Sequence, residues 1–331
     1  MVSILGLFLG EEIMEIFLAI LLFIIGAVLV IKGGDFFVDA ASWIAEKSGI
    51  PKIIIGATIV SIATTLPELL VSVMAAAEGK VDMSIGNAVG SVTANVGLIM
   101  GISIVCMPAI IKRSNYLAKS IILVVAAALI AICGLVGSVS LLMCILLLVV
   151  FIIFMFENIH EVKKTSENKE EEVAEKASRK VIITNIIKFV GGAACIVFGS
   201  QLLVNNGSTL ARIVGVPERV IGVTLIAVGT SLPELITTIT AIAKKQSSLS
   251  IGNILGANIL DLTLIMPLAS LISGQALPIS ETFAYLDLPF CLFVCLLAVV
   301  PALIRSKFSR FQGVALLVLY AAYVIVTCFV I

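Results

Sequence analysis

The sequence contains little of what soluble proteins and metalloenzymes are built from. Among 331 residues, 13% are charged, one is histidine and one is tryptophan, and the formal net charge is zero. The seven cysteines show no Cys-x-x-Cys or Cys/His spacing, so they are expected to be small buried apolar residues rather than zinc or redox ligands. The lone His160 lies in a polar segment, where a solvated role is expected. No nucleic-acid partner is expected.

Apolar residues dominate instead, at 60% of the chain with a mean hydropathy of +1.22. These values exclude a soluble globular protein. Apolar runs long enough to span about 30 Å of hydrocarbon recur throughout the chain. They predict membrane helices near residues 14–45, 51–77, 83–107, 117–134, 138–156, 182–211, 217–243, 249–273, 284–304 and 311–330. The N-terminus has neither a basic flank nor a small-residue cleavage site, so no signal peptide is predicted.

The chain also repeats itself at an offset of 166 residues. Residues 53–101 align with 219–267 without a gap, pairing Gly56 with Gly222 and Asn95 with Asp261. Five predicted spans per copy is an odd number, so the two copies must cross the membrane in opposite directions. The predicted fold is an all-α integral membrane protein with ten transmembrane helices in two inverted five-helix repeats. The predicted domains are residues 1–157, a cytoplasmic linker at 158–181, and residues 182–331.

Lysine and arginine predict the orientation, because cytoplasmic loops carry an excess of them. If the central linker is cytoplasmic, most of the loop cations lie inside. They are Lys47, Lys52, Lys112, Arg113, Lys119, Lys244, Lys245, Arg305, Lys307 and Arg310, against Lys80, Arg212 and Arg219 outside. We therefore expect a multi-pass protein of the cell membrane, surrounded by the lipid bilayer, with both termini extracellular.

Three acids lie deep in predicted spans, where an ionisable side chain is costly and marks a functional candidate. Glu68 lies in TTLPELL, Glu234 in TSLPELI, and Asp261 in the eighth span. Such an acid can also be kept protonated, or be paired with a base, to lock helices together. No lysine, arginine or histidine lies at comparable depth, and the two glutamates are matched by the repeat. These observations favour a cation site.

Further oxygen donors surround these acids. Pro67 and Pro233 remove backbone donors and free carbonyl oxygens one turn earlier, which predicts broken helices at the centre of the protein. Helical spacing of three or four residues puts further donors on the same faces as these acids and as Asn95. They are Thr64, Thr230, Ser231 and Ser91. An all-oxygen set suits hard cations such as calcium and sodium and disfavours zinc, copper and iron. Each hydroxyl can equally bond back to its own helix.

The duplicated segments ATTLPE and GTSLPE, with SIGNAVGSV and SIGNILGAN, resemble the α-repeats of the cation/calcium antiporter superfamily, in its prokaryotic sodium/calcium exchanger branch. The resemblance covers nearly the whole membrane part. It implies one central cluster of cation sites reached alternately from each side. Calcium would be held by Glu68 and Glu234 with the carbonyl oxygens of Thr64 and Thr230. Sodium would use these groups and others, with Asn95 and Asp261 completing the site. The others are Thr65, Ser91, Ser231 and the carbonyl oxygens of Ser61 and Ala227.

The chain departs from that family pattern in several places. Thr65 replaces a common serine, Ala63 replaces a glycine, and Ala257 replaces a serine whose hydroxyl is expected at a sodium position. The proton-coupled branch carries glutamate where this chain has Gly90 and Gly256, which argues against that branch.

The resulting hypothesis is a secondary active antiporter exchanging sodium for calcium by alternating access. The alternative is a calcium/proton exchanger on the same scaffold, because clustered carboxylates also bind protons. A passive channel is disfavoured, since paired broken helices suit occlusion better than conduction. An enzyme is not expected, because the intramembrane polar residues contain no recognisable nucleophile–base pair. No cofactor is expected, and no oligomeric state is predicted.

Overall fold

The computed structural model describes residues 2–108, 113–167, 178–215 and 227–329. The first half of the chain forms five helices. They are α1 (Val2–Ser48), α2 (Lys52–Ala77), α3 (Val81–Cys106), α4 (Arg113–Val136) and α5 (Leu141–Glu167). Each contains one of the predicted spans, and the predicted all-α membrane fold is confirmed.

The second half repeats this order. It contains α6 (Arg179–Ile213), a helical turn at Ala227–Gly229, α7 (Leu232–Ala243), α8 (Ser247–Ser273), α9 (Phe283–Arg305) and α10 (Arg310–Phe329). Within the described residues, nine helices are long and apolar enough to cross a membrane, and α7 is shorter. The first part of the predicted seventh span, residues 217–226, lies outside the described residues.

Helices extend into the predicted linker from both ends. Helix α5 continues to Glu167 and α6 begins at Arg179, where the Ser178 side chain accepts a hydrogen bond from the Val181 amide. Because α5 and α6 carry polar residues at these ends, their helices continue beyond the hydrocarbon that the apolar runs would cross. The rest of the linker, residues 168–177, lies outside the described part of the chain.

Two contacts between loops are consistent with ten spans that cross the membrane in alternating directions. Strand β1 (Ser138–Val139), between α4 and α5, pairs antiparallel with β2 (Leu277–Pro278), between α8 and α9. At the other end, Lys52 at the start of α2 donates a hydrogen bond of 2.8 Å to Gln246, which lies just before α8. Alternation of the spans puts each of these two pairs of loops on one side of the membrane.

Helices α1 and α6 pack against each other at the edge of the bundle through glycines matched by the repeat. A Cβ atom built on Gly26 would lie 2.9 Å from the Gly199 carbonyl oxygen, and one on Gly33 would lie 2.9 Å from that of Gly192. Both contacts are reciprocal. Small residues let two backbones approach closely inside a bilayer, where apolar side chains gain little by leaving lipid.

Helices α2 and α8 cross even more closely at the centre. A Cβ atom on Gly56 would contact the backbone of Leu249, and one on Gly252 would contact the Ile53 carbonyl oxygen. The residues of α8 from Leu249 to Leu260 are all buried. This close contact, near the first residues of both helices, joins the two repeats.

One cation counted as a loop residue is instead buried. The Lys119 side chain on α4 is fully buried, and its ammonium group lies 3.0 Å from Glu157 and 2.6 Å from Glu161 on α5. A charge can stay in such surroundings only when partners compensate it, and these two carboxylates do so.

Candidate functional site

Glu68, Glu234 and Asp261 come together at the centre of the bundle. Glu68 lies on α2, Glu234 in the first turn of α7 and Asp261 on α8, and each is at most 1% exposed. The charge of Glu234 acts on both Glu68 and Asp261, and that of Asp261 acts on Glu68. The three acids, drawn from both repeats, therefore form one electrostatic cluster.

No basic side chain compensates this cluster in the described part of the chain, where Lys119 is the one buried lysine or arginine and pairs with Glu157 and Glu161. From the same residues, no hydrogen bond reaches either carboxylate oxygen of Glu68 or of Asp261. Buried charges are normally paired or coordinate cations. Pairing with a base is therefore not how these acids are stabilised among the described residues.

Hydroxyl groups approach the acids across the boundary between the repeats. Thr65 of the first repeat donates a hydrogen bond of 3.5 Å to Glu234 Oε1. In the reciprocal position, Ser231 of the second repeat lies beside the Glu68 carboxylate. Ser91 on α3 lies 3.5 Å from the hydroxyl of Thr230. The site is therefore shared by both repeats rather than built twice.

The helices change their winding where they carry these residues. Wider π-helical turns begin at Asn95 (Asn95–Met100) and at its counterpart Asp261 (Asp261–Ile265), and another, Gly56–Val60, immediately precedes Ser61. Such turns leave carbonyl oxygens without their usual partners and are frequent at functional sites. They are the irregular backbone expected beside an intramembrane site.

The two proline motifs behave differently. The chain is interrupted at Thr230 and Ser231, between the turn Ala227–Gly229 and α7, with Pro233 in the first turn of the new helix. In contrast, α2 continues through Pro67 from Ser61 to Ala77. The predicted break is thus present in the second repeat. In the first repeat the helix is continuous through Pro67, and the wider turn Gly56–Val60 ends about two helical turns before it.

For three other predicted site residues, the structure gives no hydrogen bond to the acids in the described part of the chain. Asn95 is fully buried, but its side-chain atoms receive no hydrogen bond from the described residues. The Ser61 hydroxyl donates to the Thr58 carbonyl oxygen, while the Ser61 carbonyl oxygen accepts from Thr64 at 3.3 Å. Ala227 lies in the helical turn before the interruption.

Two asparagines that the sequence analysis did not single out contact the site. Asn253 Oδ1 accepts a hydrogen bond of 3.2 Å from Thr64, and Asn87 Oδ1 accepts one of 3.2 Å from Thr230. Both belong to the tetrapeptide SIGN, which is identical in the two copies. That identity was the available signal, because a glycine–asparagine pair kept in both copies indicates a role for the side chain as well as the backbone.

The acids alone do not form a metal site, but together with the neighbouring oxygen donors they suit a hard cation. Among the described residues, no three histidine, cysteine, aspartate or glutamate side chains converge closely enough to hold a metal by themselves. Hydroxyl, amide and carbonyl oxygens must therefore complete any coordination shell. Calcium accepts six to eight such oxygens in flexible geometry.

A cavity of about 160 Å³ leads to the site between α2, α6 and α7. It ends against Thr230 and Pro233, and Gln201 and Asn205 of α6 line it. Val71, one turn beyond Glu68 on α2, also lines it, so the cavity lies on the side where α2 ends.

The whole chain is similar to known ion exchangers. The family model described as "Sodium/calcium exchanger protein" matches residues 18–159 and 184–329. The sodium/calcium exchanger MaX1 of Methanosarcina acetivorans is 33% identical, covering 94% of this chain and 98% of that protein. Inner membrane protein YrbG of Escherichia coli is 31% identical over 81% and 84% of the two chains.

A solved structure extends the similarity to three dimensions. The sodium-calcium exchanger NCX_Mj, soaked with sodium and without calcium, superposes with a TM-score of 0.79 at 28% identity, covering 95% of this chain and 99% of that one. Both family matches coincide with the two repeats, and the agreement spans nearly every helix described above. The chain belongs to the sodium/calcium exchanger protein family.

Proposed function

We propose that this protein exchanges sodium for calcium across the cell membrane by alternating access to the central site. The observation that carries the proposal is the cluster of Glu68, Glu234 and Asp261, buried between the repeats without a basic partner among the described residues. Up to three negative charges require cations before the site can be closed off from water. The positive charge comes either from one calcium ion with one protonated acid or from several sodium ions. Calcium and sodium cannot occupy the site together, because they use the same oxygen donors.

The same electrostatics couples the two fluxes. A transporter that closed around an empty site would bury uncompensated carboxylates, so the empty protein is held on one side. Either load removes that barrier, and each ion can then cross only in exchange for the other. Calcium uptake into sodium-loaded proteoliposomes tests this directly. Uptake should follow an outward sodium gradient at fixed pH and stop when the gradient is removed.

A calcium/proton exchanger is the alternative, and the geometry at Gly256 disfavours it. A Cβ atom on Gly256 would lie 2.5 Å from both the Ala57 carbonyl oxygen and the Ser61 hydroxyl. The glutamate of the proton-coupled branch therefore has no room at position 256, whereas a Cβ atom on the matching Gly90 would meet no described atom within 4 Å. Calcium flux driven by a pH gradient without sodium would favour this alternative instead.

The substitution Ala257→Ser is expected to strengthen sodium binding. Ala257 is fully buried on α8, one helical turn before Asp261, and its repeat counterpart Ser91 contacts Thr230. A serine at position 257 would bring one more oxygen donor to the Thr64 side of the site. We expect the sodium concentration for half-maximal exchange to fall about two- to tenfold, the range that corresponds to one hydrogen bond or comparable polar contact. A sodium titration of calcium efflux measures it.

Calcium affinity should change little in Ala257→Ser, because calcium relies mainly on Glu68 and Glu234. An unchanged sodium dependence would show that position 257 only packs. Ser91→Ala, the matched change in the first repeat, should move the sodium dependence in the opposite direction.

The orientation can be tested by thiol labelling. In a background with the exposed Cys106 replaced by alanine, Ser166→Cys should react with an impermeant reagent only from the cytoplasmic side, because the lysine and arginine count puts the linker inside. Tyr285→Cys is the matched control. Tyr285 is 80% exposed near the opposite end of the bundle, so it should react from outside in intact cells. Labelling of Ser166→Cys from outside would reverse the topology.

A further inference from the structure

Asn87 and Asn253 are equivalent in the repeat, but their hydrogen bonds are equivalent only at Oδ1 and differ at Nδ2. Their Oδ1 atoms are equivalent, since each accepts the threonine hydroxyl of the opposite repeat at 3.2 Å. Their Nδ2 atoms are not. Asn87 Nδ2 donates to the Glu68 carbonyl oxygen at 3.1 Å and to the Ser72 hydroxyl at 2.9 Å. It thereby fastens α3 to the helix turn that carries Glu68.

We call these two hydrogen bonds of Asn87 Nδ2 the clasp of the first repeat. The matching hydrogen bonds are absent from the described residues of the second repeat. Asn253 corresponds to Asn87, Glu234 to Glu68 and Thr238 to Ser72. Asn253 and Thr238 are both fully buried, yet Asn253 Nδ2 and Thr238 Oγ1 have no hydrogen-bond partner in the described part of the chain. Buried polar groups are nearly always satisfied, and each exception requires an explanation.

We propose that Asn87 and Asn253 are positioning residues that clasp the two glutamate-bearing helix turns alternately, one in each state of the transport cycle. In the state described here, Asn87 bonds to the Glu68 carbonyl oxygen and to Ser72, and among the described residues Asn253 makes no matching bonds to the Glu234 turn. In the opposite-facing state, Asn253 donates to the Glu234 carbonyl oxygen and to Thr238, and Asn87 releases its partners. This proposal rests on the alternating access proposed above.

The physical reason is the inverted repeat itself. In such transporters the site stays near the middle while one repeat moves relative to the other. Because the two repeats are copies of one sequence, each can adopt the conformation that the other now holds. The hydrogen bonds that differ between the copies therefore identify the contacts that change during the transport cycle. The Oδ1 bonds, equal in both copies, keep Thr64 and Thr230 attached to the opposite repeat throughout. Only the amide nitrogens change partner.

The distinguishing variant is Thr238→Val, which has the same shape as threonine but lacks the hydroxyl. The hydroxyl has no hydrogen-bond partner among the described residues, so the thermal stability should be unchanged or higher. The opposite-facing state, however, loses an acceptor for Asn253. Turnover should therefore fall, and the ratio of the apparent KM values for calcium at the two membrane faces should shift by about two- to tenfold, as the competent population at each face changes.

Ser72→Ala is the matched change in the first repeat and should shift that ratio in the opposite direction, because it weakens the clasp of the described state. Thr238→Ser keeps the hydroxyl and should behave as wild type. Thr93→Val is the control for removing a buried hydroxyl, since the Thr93 hydroxyl donates to the Val89 carbonyl oxygen of its own helix. It should leave the ratio unchanged.

The assay uses full-length protein in right-side-out and inverted membrane vesicles, with calcium titrated on each face under a fixed sodium gradient. An unchanged ratio in Thr238→Val, or shifts of the same sign in Thr238→Val and Ser72→Ala, would overturn the clasp. Loss of stability in Thr238→Val would also overturn it, because the hydroxyl would then be bonded in the dominant state. A wild-type protein without sodium-driven calcium flux would instead refute the proposed function.

Discussion

Glu68→Gln and Glu234→Gln are each expected to abolish calcium transport while leaving the protein folded. Each glutamate is buried among acids from both repeats, so each can give a negative charge directly to a cation bound between them. Glutamine keeps the shape and one carbonyl oxygen but removes that charge, and a dehydrated divalent ion depends on it. Calcium uptake should fall at least about a hundredfold, which corresponds to a loss of roughly 3 kcal/mol in binding, the penalty typical of unpairing buried charges.

Asp287→Asn is the matched control. Asp287 is another buried acid of the membrane part, but it lies on α9, where Asp287 Oδ1 accepts a hydrogen bond of 2.5 Å from the Tyr323 hydroxyl. Asparagine can accept that bond equally well, so transport should persist. Calcium uptake near the wild-type level in either glutamine variant would contradict the assignment of the site. Loss of uptake in the Asp287→Asn protein would show that neutralising any buried acid is enough.

Gly252→Ala is expected to destabilise the protein strongly. The added methyl group would contact the Ile53 carbonyl oxygen of α2, which is backbone and cannot rotate away as a side chain can. Helices α2 and α8 would have to separate where Thr64 and Asn253 bond across the two repeats. Overpacking a close-packed interior costs about 1–3 kcal/mol and sometimes more. The upper end is expected here, as a large fall in the thermal midpoint of the purified protein.

Gly191→Ala provides the comparison. Gly191 is exposed on α6, and no described residue would lie within 4 Å of a Cβ atom built there. Alanine also has the higher helix propensity, by about 1 kcal/mol, so this variant should be at least as stable as wild type. A Gly252→Ala protein with wild-type stability would mean that α2 and α8 do not cross as closely as described.

Much of the architecture could be predicted from the sequence because it depends on short-range chemistry. Membrane spans follow from apolar length, since every backbone polar group in lipid must be satisfied within its own helix. The inverted arrangement follows from an odd number of spans per repeat. Glu68, Glu234 and Asp261 stood out because an acid in an apolar run is costly wherever the run folds.

The position of the helix interruption and the surroundings of Lys119 depend instead on which helices pack against each other. The sequence showed two equivalent proline motifs, but in the described residues around them the helix is interrupted at Thr230 and Ser231 and continues through Pro67 in α2. Lys119 was counted as a loop cation, and two glutamates on the neighbouring helix bury it. These outcomes are set by neighbours distant in sequence, which a local pattern does not encode.

The sequence by itself determined the repeat, the spans and the three acids, because each is written in residue type and spacing along one helix. Only the tertiary structure decided that Thr65 contacts Glu234, that Asn87 and Asn253 bond to threonines of the opposite repeat, and that their amide nitrogens have unequal partners. Two identical SIGN segments cannot predict a difference between themselves. That difference depends on the neighbours that the tertiary structure gives to each segment, and those neighbours lie far away in the sequence.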